Sequence, residues 1–273
     1  GGTRIDQHMP DPANHYDTTN GAYSIYGRLL TRVAAAKLTH GIRGVLWHQG
    51  EADQGSDGPD GGYGCETYQQ YFVDLSAAWK QDYPNIRHYY LFQIWPNSCS
   101  QGGNRHSDKL RDVQRCLSRL YSSMSVVSTL DLLSGAAHFN LADYEKMGRS
   151  MALLVARDTC GKVFDKPITS PDLKKAYYTS DKKDAIALEF DQPMAWNEAL
   201  ASQFYLDGKE GKVASGAVSG NVVTLKLAPA GAAKTITYLV DKNWDIKNLL
   251  YGQNGIAALT FCEAPILPAK PNP

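Results

Sequence analysis

The 273-residue chain has no apolar run approaching the roughly 18–20 residues that a bilayer-spanning helix needs. That excludes an integral membrane protein built on such helices. Net charge is lacking too. Its 28 Lys+Arg balance 28 Asp+Glu, and the pI is near 7.2. A bulk polycation made for nucleic acid is therefore excluded, and no nucleic-acid partner is expected. Cysteine is scarce at five residues, none in a Cys-x-x-Cys pair, so zinc ribbons and thioredoxin-like redox motifs have no support. There is no Gly-x-Ser-x-Gly elbow. The nearest imitation, Gly216-Ala217-Val218-Ser219-Gly220, falls in a β-turn. No initiator Met and no signal-like segment stand at Gly1, so the chain is expected to be processed or cut.

What is present describes a folded chain. Hydrophobic residues make up 43% and charged residues 21%, and the length suffices for one large domain or two smaller ones. The odd cysteine count suits an exported, secreted or periplasmic protein with one or two disulfides and a leftover thiol. The alternative is a cytosolic enzyme with five buried thiols.

Residues 1–160 alternate helical and strand periodicities. Asn20 can cap a helix whose apolar face is Ile25, Leu29, Leu30, Val33 and Ala36. A short strand follows at 44–47 and a Gly/Asp loop at 54–64. A helix is predicted over 66–81, with Tyr68, Tyr71, Phe72, Leu75 and Trp79 inward. Strand 88–94, a basic helix over 107–122 and strand 126–130 come next. A last helix spans 141–157, with Tyr144, Met147, Met151, Leu154 and Val155 inward. Alternation of this kind predicts parallel crossover units and a three-layer α/β sandwich. Residues 161–183 read as a linker containing two prolines. Residues 184–273 read as a small all-β unit with short strands at 185–190, 203–206, 211–218, 221–227 and 234–240, ending in a loose Pro-rich tail.

Open parallel sheets bind ligands beyond the carboxyl ends of their strands. The residues at those ends are His48-Gln49-Gly50-Glu51-Ala52-Asp53, Trp95-Pro96-Asn97, and Asp131 with Gly135-Ala136-Ala137-His138. An imidazole in one loop and an amide in another suit acyl transfer. The histidine moves the proton, the amide holds the oxyanion, and a carboxylate orients the imidazole. His48 and Glu51 have His-x-x-Glu spacing, but they follow a strand rather than lie on a helix, and no metal or other cofactor is expected. His48 is read as packing locally. The Asp53, Asp57 and Asp60 loop lacks EF-hand spacing and reads as a solvated turn. Lys109, Arg111, Arg115 and Arg119 read as a solvated or salt-bridged helix face.

These residues carry a resemblance. Gly1-Gly2-Thr3-Arg4-Ile5, Trp47-His48-Gln49-Gly50-Glu51-Ala52-Asp53, Leu110-Arg111-Asp112-Val113-Gln114, His138 and Gly148-Arg149-Ser150-Met151-Ala152 together resemble the sialate O-acetylesterase-like branch of the SGNH hydrolases. Leu206-Asp207-Gly208-Lys209 and the Asn248 to Ala258 stretch extend the likeness over nearly the whole chain. The resemblance implies an SGNH-type three-layer sandwich, lacking its N-terminal strand here, and a serine-type carbohydrate O-acetylesterase acting on sialic acid or another acetylated glycan. It implies His138 as general base, Gly2 N–H and the Gln49 amide as oxyanion donors, and Glu51 as an organiser of the site. Trp95 and Arg111 are the expected substrate-side residues. The nucleophilic serine of such enzymes lies upstream of the Gly-Gly-Thr block, so it is expected before residue 1, on a separate N-terminal chain or in sequence that precedes this one. The family's Asp three residues before the histidine is Gly135 here, which leaves Asp131 or Glu51 to orient His138. The alternative reading is a catalytically inactive glycan-binding relative.

Overall fold

The computed structural model describes residues 2–18, 24–54, 64–96, 107–133, 138–240 and 244–269. Asn20, Asp57, Asp60, Asn97, Cys99 and Gly135 therefore lie outside the described residues. The chain divides into two compact units, 1–94 with 98–126, and 95–97 with 127–273.

In the first part, α1 (Ser24–Ala35), β1 (Gly44–Trp47), α2 (Cys65–Asp82), β2 (His88–Gln93), α3 (Ser107–Leu117) and β3 (Met124–Ser128) alternate as the periodicity predicts. The strands form one sheet in the order β1-β2-β3. β1 and β2 run parallel, with Gly44 opposite His88 and Trp47 opposite Leu91. β2 is buried on both faces beyond its first residue, as a central parallel strand should be. On α2, Tyr68, Phe72, Leu75 and Trp79 recur at helical spacing and are buried. Trp47, Phe72 and Trp79 meet edge to face there, with ring centroids 5.2–6.4 Å apart.

The face of α1 differs from expectation. On α1 the inner residues are Tyr26, Gly27 and Leu30, while Leu29 is exposed. Gly27 sets this rotation, because a Cβ there would fall 1.9 Å from the Asp17 carbonyl oxygen. On α3, Arg111 and Arg115 are buried, and of the two expected alternatives the salt-bridged one holds for Arg115. Arg115 pairs with Asp112 at 2.7 Å.

α4 (Leu141–Cys160) is capped by Asn140, whose side chain accepts from Asp143 N–H, and ends at Gly161 in the left-handed region. Met147, Met151 and Leu154 are its buried positions; Tyr144 is exposed, contrary to expectation.

The second part is larger than a small all-β unit. Seven strands, β4 (Leu173–Tyr178), β5 (Ala185–Phe190), β6 (Phe204–Leu206), β7 (Val213–Ser219), β8 (Val222–Leu227), β9 (Thr235–Tyr238) and β10 (Phe261–Leu267), form one sheet in the order β6-β9-β10-β4-β5-β8-β7. Two of them correct the sequence reading. β4 lies inside the expected linker, and β10 begins ahead of the expected loose tail and runs into it, yet the two pair in the middle of the sheet. The imitation elbow is the β7–β8 hairpin. Its Gly216 is a packing glycine: a Cβ there would fall 2.2 Å from the Trp196 ring. Cys65, Cys116, Cys160 and Cys262 are thiols, so among the described residues the expected disulfide is not found.

Candidate active site

The loop after β1 is built from buried polar groups. Trp47 Nε1–H donates to the Tyr68 hydroxyl at 3.0 Å, and that hydroxyl donates to the Gln49 carbonyl at 2.9 Å. Burial, with the charge of Asp53, pushes the Tyr68 hydroxyl up, so it stays a donor. Gln114 on α3 makes a second clamp. Its Nε2 donates to the Gln49 carbonyl at 2.9 Å, and its Oε1 accepts from Ile94 N–H at 2.9 Å. One side chain thus holds the residues that follow β1 and β2. Gly50, at φ +148°, leaves it room; a Cβ there would fall 2.7 Å from Gln114 Nε2. The Leu-Arg-x-x-Gln block is therefore a strand-end clamp.

The Gln49 side chain ties this loop to the N-terminal block. Its Nε2 donates to the Thr3 carbonyl at 2.8 Å and to the Asp53 carboxylate. Asp53 in turn accepts from Ile5 N–H at 3.2 Å through each oxygen. The opposite amide orientation would set Gln49 Oε1 against two acceptors, so the bonding fixes which end is which. Residues 5–8 form a turn of 3₁₀-helix, with Arg4 N–H bonded to Gln7 Oε1 at 2.9 Å. His8 closes it, with Nε2 2.9 Å from Thr3 Oγ1 and its ring edge-on to Trp47 at 5.1 Å. Gly2 is exposed at φ +74°, a conformation open to glycine.

Asp53 is the functional-region residue that sequence reasoning placed wrongly. It is not part of a solvated turn but fully buried. Burial pushes its carboxyl up to about 7, against the lowering effect of the bonds from Gln49 and Ile5. The available signal was its position closing the Trp-His-Gln-Gly-Glu-Ala-Asp block. Both hydrogens of the Gln49 amide are taken up by Thr3 and Asp53, and Gln49 Oε1 is buried without a hydrogen-bond partner.

Glu51 lies with Oε1 3.3 Å from His48 Nε2, and His48 sets its ring edge-on to Phe92 at 5.5 Å. Among the described residues no group of three His, Cys, Asp or Glu side chains is gathered as for a metal. Arg111 shows no exposed surface, and its carbonyl accepts from Gln93 Nε2 at 2.8 Å. It therefore stands behind the surface rather than on it.

The other expected residues belong to the second compact unit. His138 is exposed, just ahead of buried Phe139, whose ring meets Tyr144 at 5.8 Å. Leu133 N–H donates to Asp143 Oδ1 at 3.1 Å, fastening the near end of the His138 loop to the start of α4. Asp131 is paired with Lys146 at 2.6 Å, and no hydrogen bond joins it to His138 among the described residues. Trp95 is half-buried and meets Trp244 edge to face.

Comparison with known proteins places the fold and the family. No curated protein matches the chain. Among solved structures it is similar to a novel carbohydrate acetylesterase from Xanthomonas citri, with a TM-score of 0.72 and 15% identity. The match covers 96% of this chain and 59% of that one, so the chain spans less than two thirds of that protein, and the likeness is one of fold. Residues 1–157, more than half of the chain, match the family described as "SASA: Carbohydrate esterase, sialic acid-specific acetylesterase", and the chain belongs to that family.

Proposed function

We propose that this chain carries the base and the oxyanion side of a serine-type carbohydrate O-acetylesterase. The serine is supplied by sequence upstream of Gly1, whose strand would complete an SGNH-type three-layer sandwich. His138 takes the serine proton, and the alkoxide attacks the acetyl carbonyl. Gly2 N–H and the Gln49 amide hold the developing oxyanion. His138 then protonates the departing sugar oxygen, leaving an acetyl-serine; water, deprotonated by His138, attacks it, and acetate leaves as the serine oxygen regains its proton. For Gln49 to serve, one of its hydrogens passes from Thr3 or Asp53 to the oxyanion, so Asp53 positions this donor. Glu51 steadies the same loop through His48. Arg111 supports the site from beneath, and Trp95 contacts the sugar. The substrate class is an acetylated glycan, and the setting is secreted or periplasmic. No helix among the described residues is long and apolar enough to cross a membrane.

The observation that carries this reading is the bonding of the Gly-Gly-Thr block to the glutamine loop, through Gln49 to Thr3 and Ile5 to Asp53. An oxyanion site needs its donors fixed before the charge develops. In the intact gene product, Gln49→Ala is expected to lower acetate release from an acetylated glycan about a hundred- to a thousandfold. His138→Ala should lower it at least as far. Wild-type turnover in either variant would sink the proposal.

A second reading, a non-catalytic glycan binder, is favoured by Gly135 in the acid position and by the Lys146 pairing of Asp131. The upstream sequence separates the two. A Gly-x-Ser block after a strand supports the enzyme, and another residue at that serine supports the binder.

A further inference from the structure

Asp53 shows no exposed surface, and among the described residues no cation is paired with it. Its side-chain partners are neutral. Gln49 Nε2 donates to one oxygen, and Ile5 N–H lies 3.2 Å from each. Arg4, whose charge favours the carboxylate, is itself paired at 3.0 Å with Asp6, whose charge opposes it. Tyr68 on α2 adds no charge, because burial keeps its hydroxyl protonated. Glu51, in the same loop, lies against His48. A carboxylate so placed has lost its water without gaining a counter-charge, a setting that favours the neutral acid. Burial accordingly raises this carboxyl to about 7.

The cluster is also short of hydrogens. Four acceptor atoms meet there: the Thr3 carbonyl oxygen, both Asp53 oxygens and Gln49 Oε1. Three hydrogens face them, two from the Gln49 amide and one from Ile5, and Gln49 Oε1 is buried without a partner. A proton on Asp53 supplies a fourth.

The two forms of Asp53 act differently on Gln49. A carboxylate holds an N–H about twice as strongly as a neutral acceptor does. On the esterase reading it would also set one negative charge beside a second as the oxyanion forms. A neutral acid holds the amide loosely and adds no charge. We infer that Asp53 works as the neutral acid: its proton releases the Gln49 amide to the oxyanion, and loss of that proton locks the amide onto the carboxylate. This rests on the esterase reading above and adds to it a proton switch on the oxyanion donor. Asp53 is a positioning residue, acting through Gln49.

The test uses the intact gene product and follows acetate release from an acetylated glycan between about pH 5 and about pH 9. For the wild type, kcat/KM should fall about tenfold per pH unit above about 7, as the proton leaves. Asp53→Asn is uncharged at every pH. Whatever its level of activity, this alkaline limb should be gone. A limb kept in Asp53→Asn, or missing from the wild type, would overturn the inference, since a merely structural Asp53 would lower activity without moving the profile. The second readout is the side-chain amide NMR signal of Gln49, assigned by its loss in Gln49→Ala. In the wild type it should shift with the same midpoint as the activity, and in Asp53→Asn that shift should vanish. If Asp53→Asn is inactive throughout, coincidence of the two wild-type midpoints supports the inference, and separate midpoints overturn it. If the wild type releases no acetate at any pH, the esterase reading fails by itself. The amide signal then decides whether Asp53 controls Gln49. A shift lost in Asp53→Asn upholds that control; a signal indifferent to pH, or a shift kept in the variant, overturns it.

Discussion

The glutamine loop and the histidine loop are built in opposite ways. Around Gln49, the groups that fix the backbone are buried side chains: Tyr68, Gln114 and Asp53, with Gln93 and Arg111 beneath. Among the described residues, the support around His138 is thinner. The ring is exposed, Leu133 before it is 80% exposed, and the loop is fastened through the Asn140 cap and the Leu133–Asp143 bond. An oxyanion donor works by being in place before charge develops, so on the proposed reading rigidity belongs on the glutamine side. On the proposed reading, a general base on a surface loop can adjust to its nucleophile. The difference predicts that damage to the first region costs stability, whereas damage to the second costs little.

The largest effect should come from Asp53. Its folded value near 7 stands well above the roughly 3.9 of an unfolded aspartate, so the folded state holds the extra proton between those values. Its contribution to stability is full below about pH 4, falls as pH rises through about 7, and is flat above. Asp53→Asn keeps the shape and removes the charge. Compared by urea unfolding at pH 4.5 and pH 8, the variant should gain on the wild type by roughly 3–4 kcal/mol across that window. An unchanged difference between the two proteins would mean that Asp53 is not the buried carboxyl described.

Next in size is Gly50→Ala. A left-handed φ and a Cβ driven into Gln114 Nε2 should together cost about 2–4 kcal/mol. Gly148→Ala is the matching change in the other region. No atom stands within 4 Å of its would-be Cβ on α4, so it should stabilise by about 0.5–1 kcal/mol. Equal signs from thermal unfolding would break the comparison. Gln114→Ala strips Ile94 N–H of its acceptor and is expected to cost about 1–3 kcal/mol.

How much of this the sequence disclosed follows from how local each signal is. The strands and helices of the first part repeat at their own periods, so their positions were legible. The Trp-His-Gln-Gly-Glu block was legible as a strand-end loop. The face of α1 was not, because the deciding residue is a glycine pressed on Asp17, which carries no hydrophobic signal. β4 was hidden by the prolines before it and by Lys174 and Lys175. Lys174 is satisfied by the nearby Asp172, and Lys175 by Glu189, a contact visible only once the strands pair. β10 was hidden by Pro265. A register shift between Phe261 and Ala264, with Glu263 at φ +50°, lets a proline sit inside the sheet. The role of Asp53 was only half legible: it closes the Trp-His-Gln-Gly-Glu-Ala-Asp block, but its partner Ile5 is 48 residues away. The edge-to-face contact of Trp95 with Trp244 likewise joins distant segments.

The smallest effect is expected at the histidine loop, where it separates folding from function. Asn140→Ala removes the side-chain acceptor of Asp143 N–H and should cost about 1 kcal/mol in urea unfolding. Asp143→Ala removes the acceptor of Leu133 N–H, a bond at the edge of the fold. Its global cost should be of the same small size. The local consequence should be larger than the global one. Hydrogen exchange at the Leu133 amide should quicken, while the amides of β1 and β2 keep their protection. If Asp143→Ala instead slowed no reaction and left exchange at Leu133 unchanged, this loop would be held by something other than the start of α4. The contrast with the glutamine region would then lose its physical basis. If exchange quickened in β1 and β2 as well, the two regions would open as one cooperative unit, and the exposed His138 would share the rigidity of the Gln49 loop.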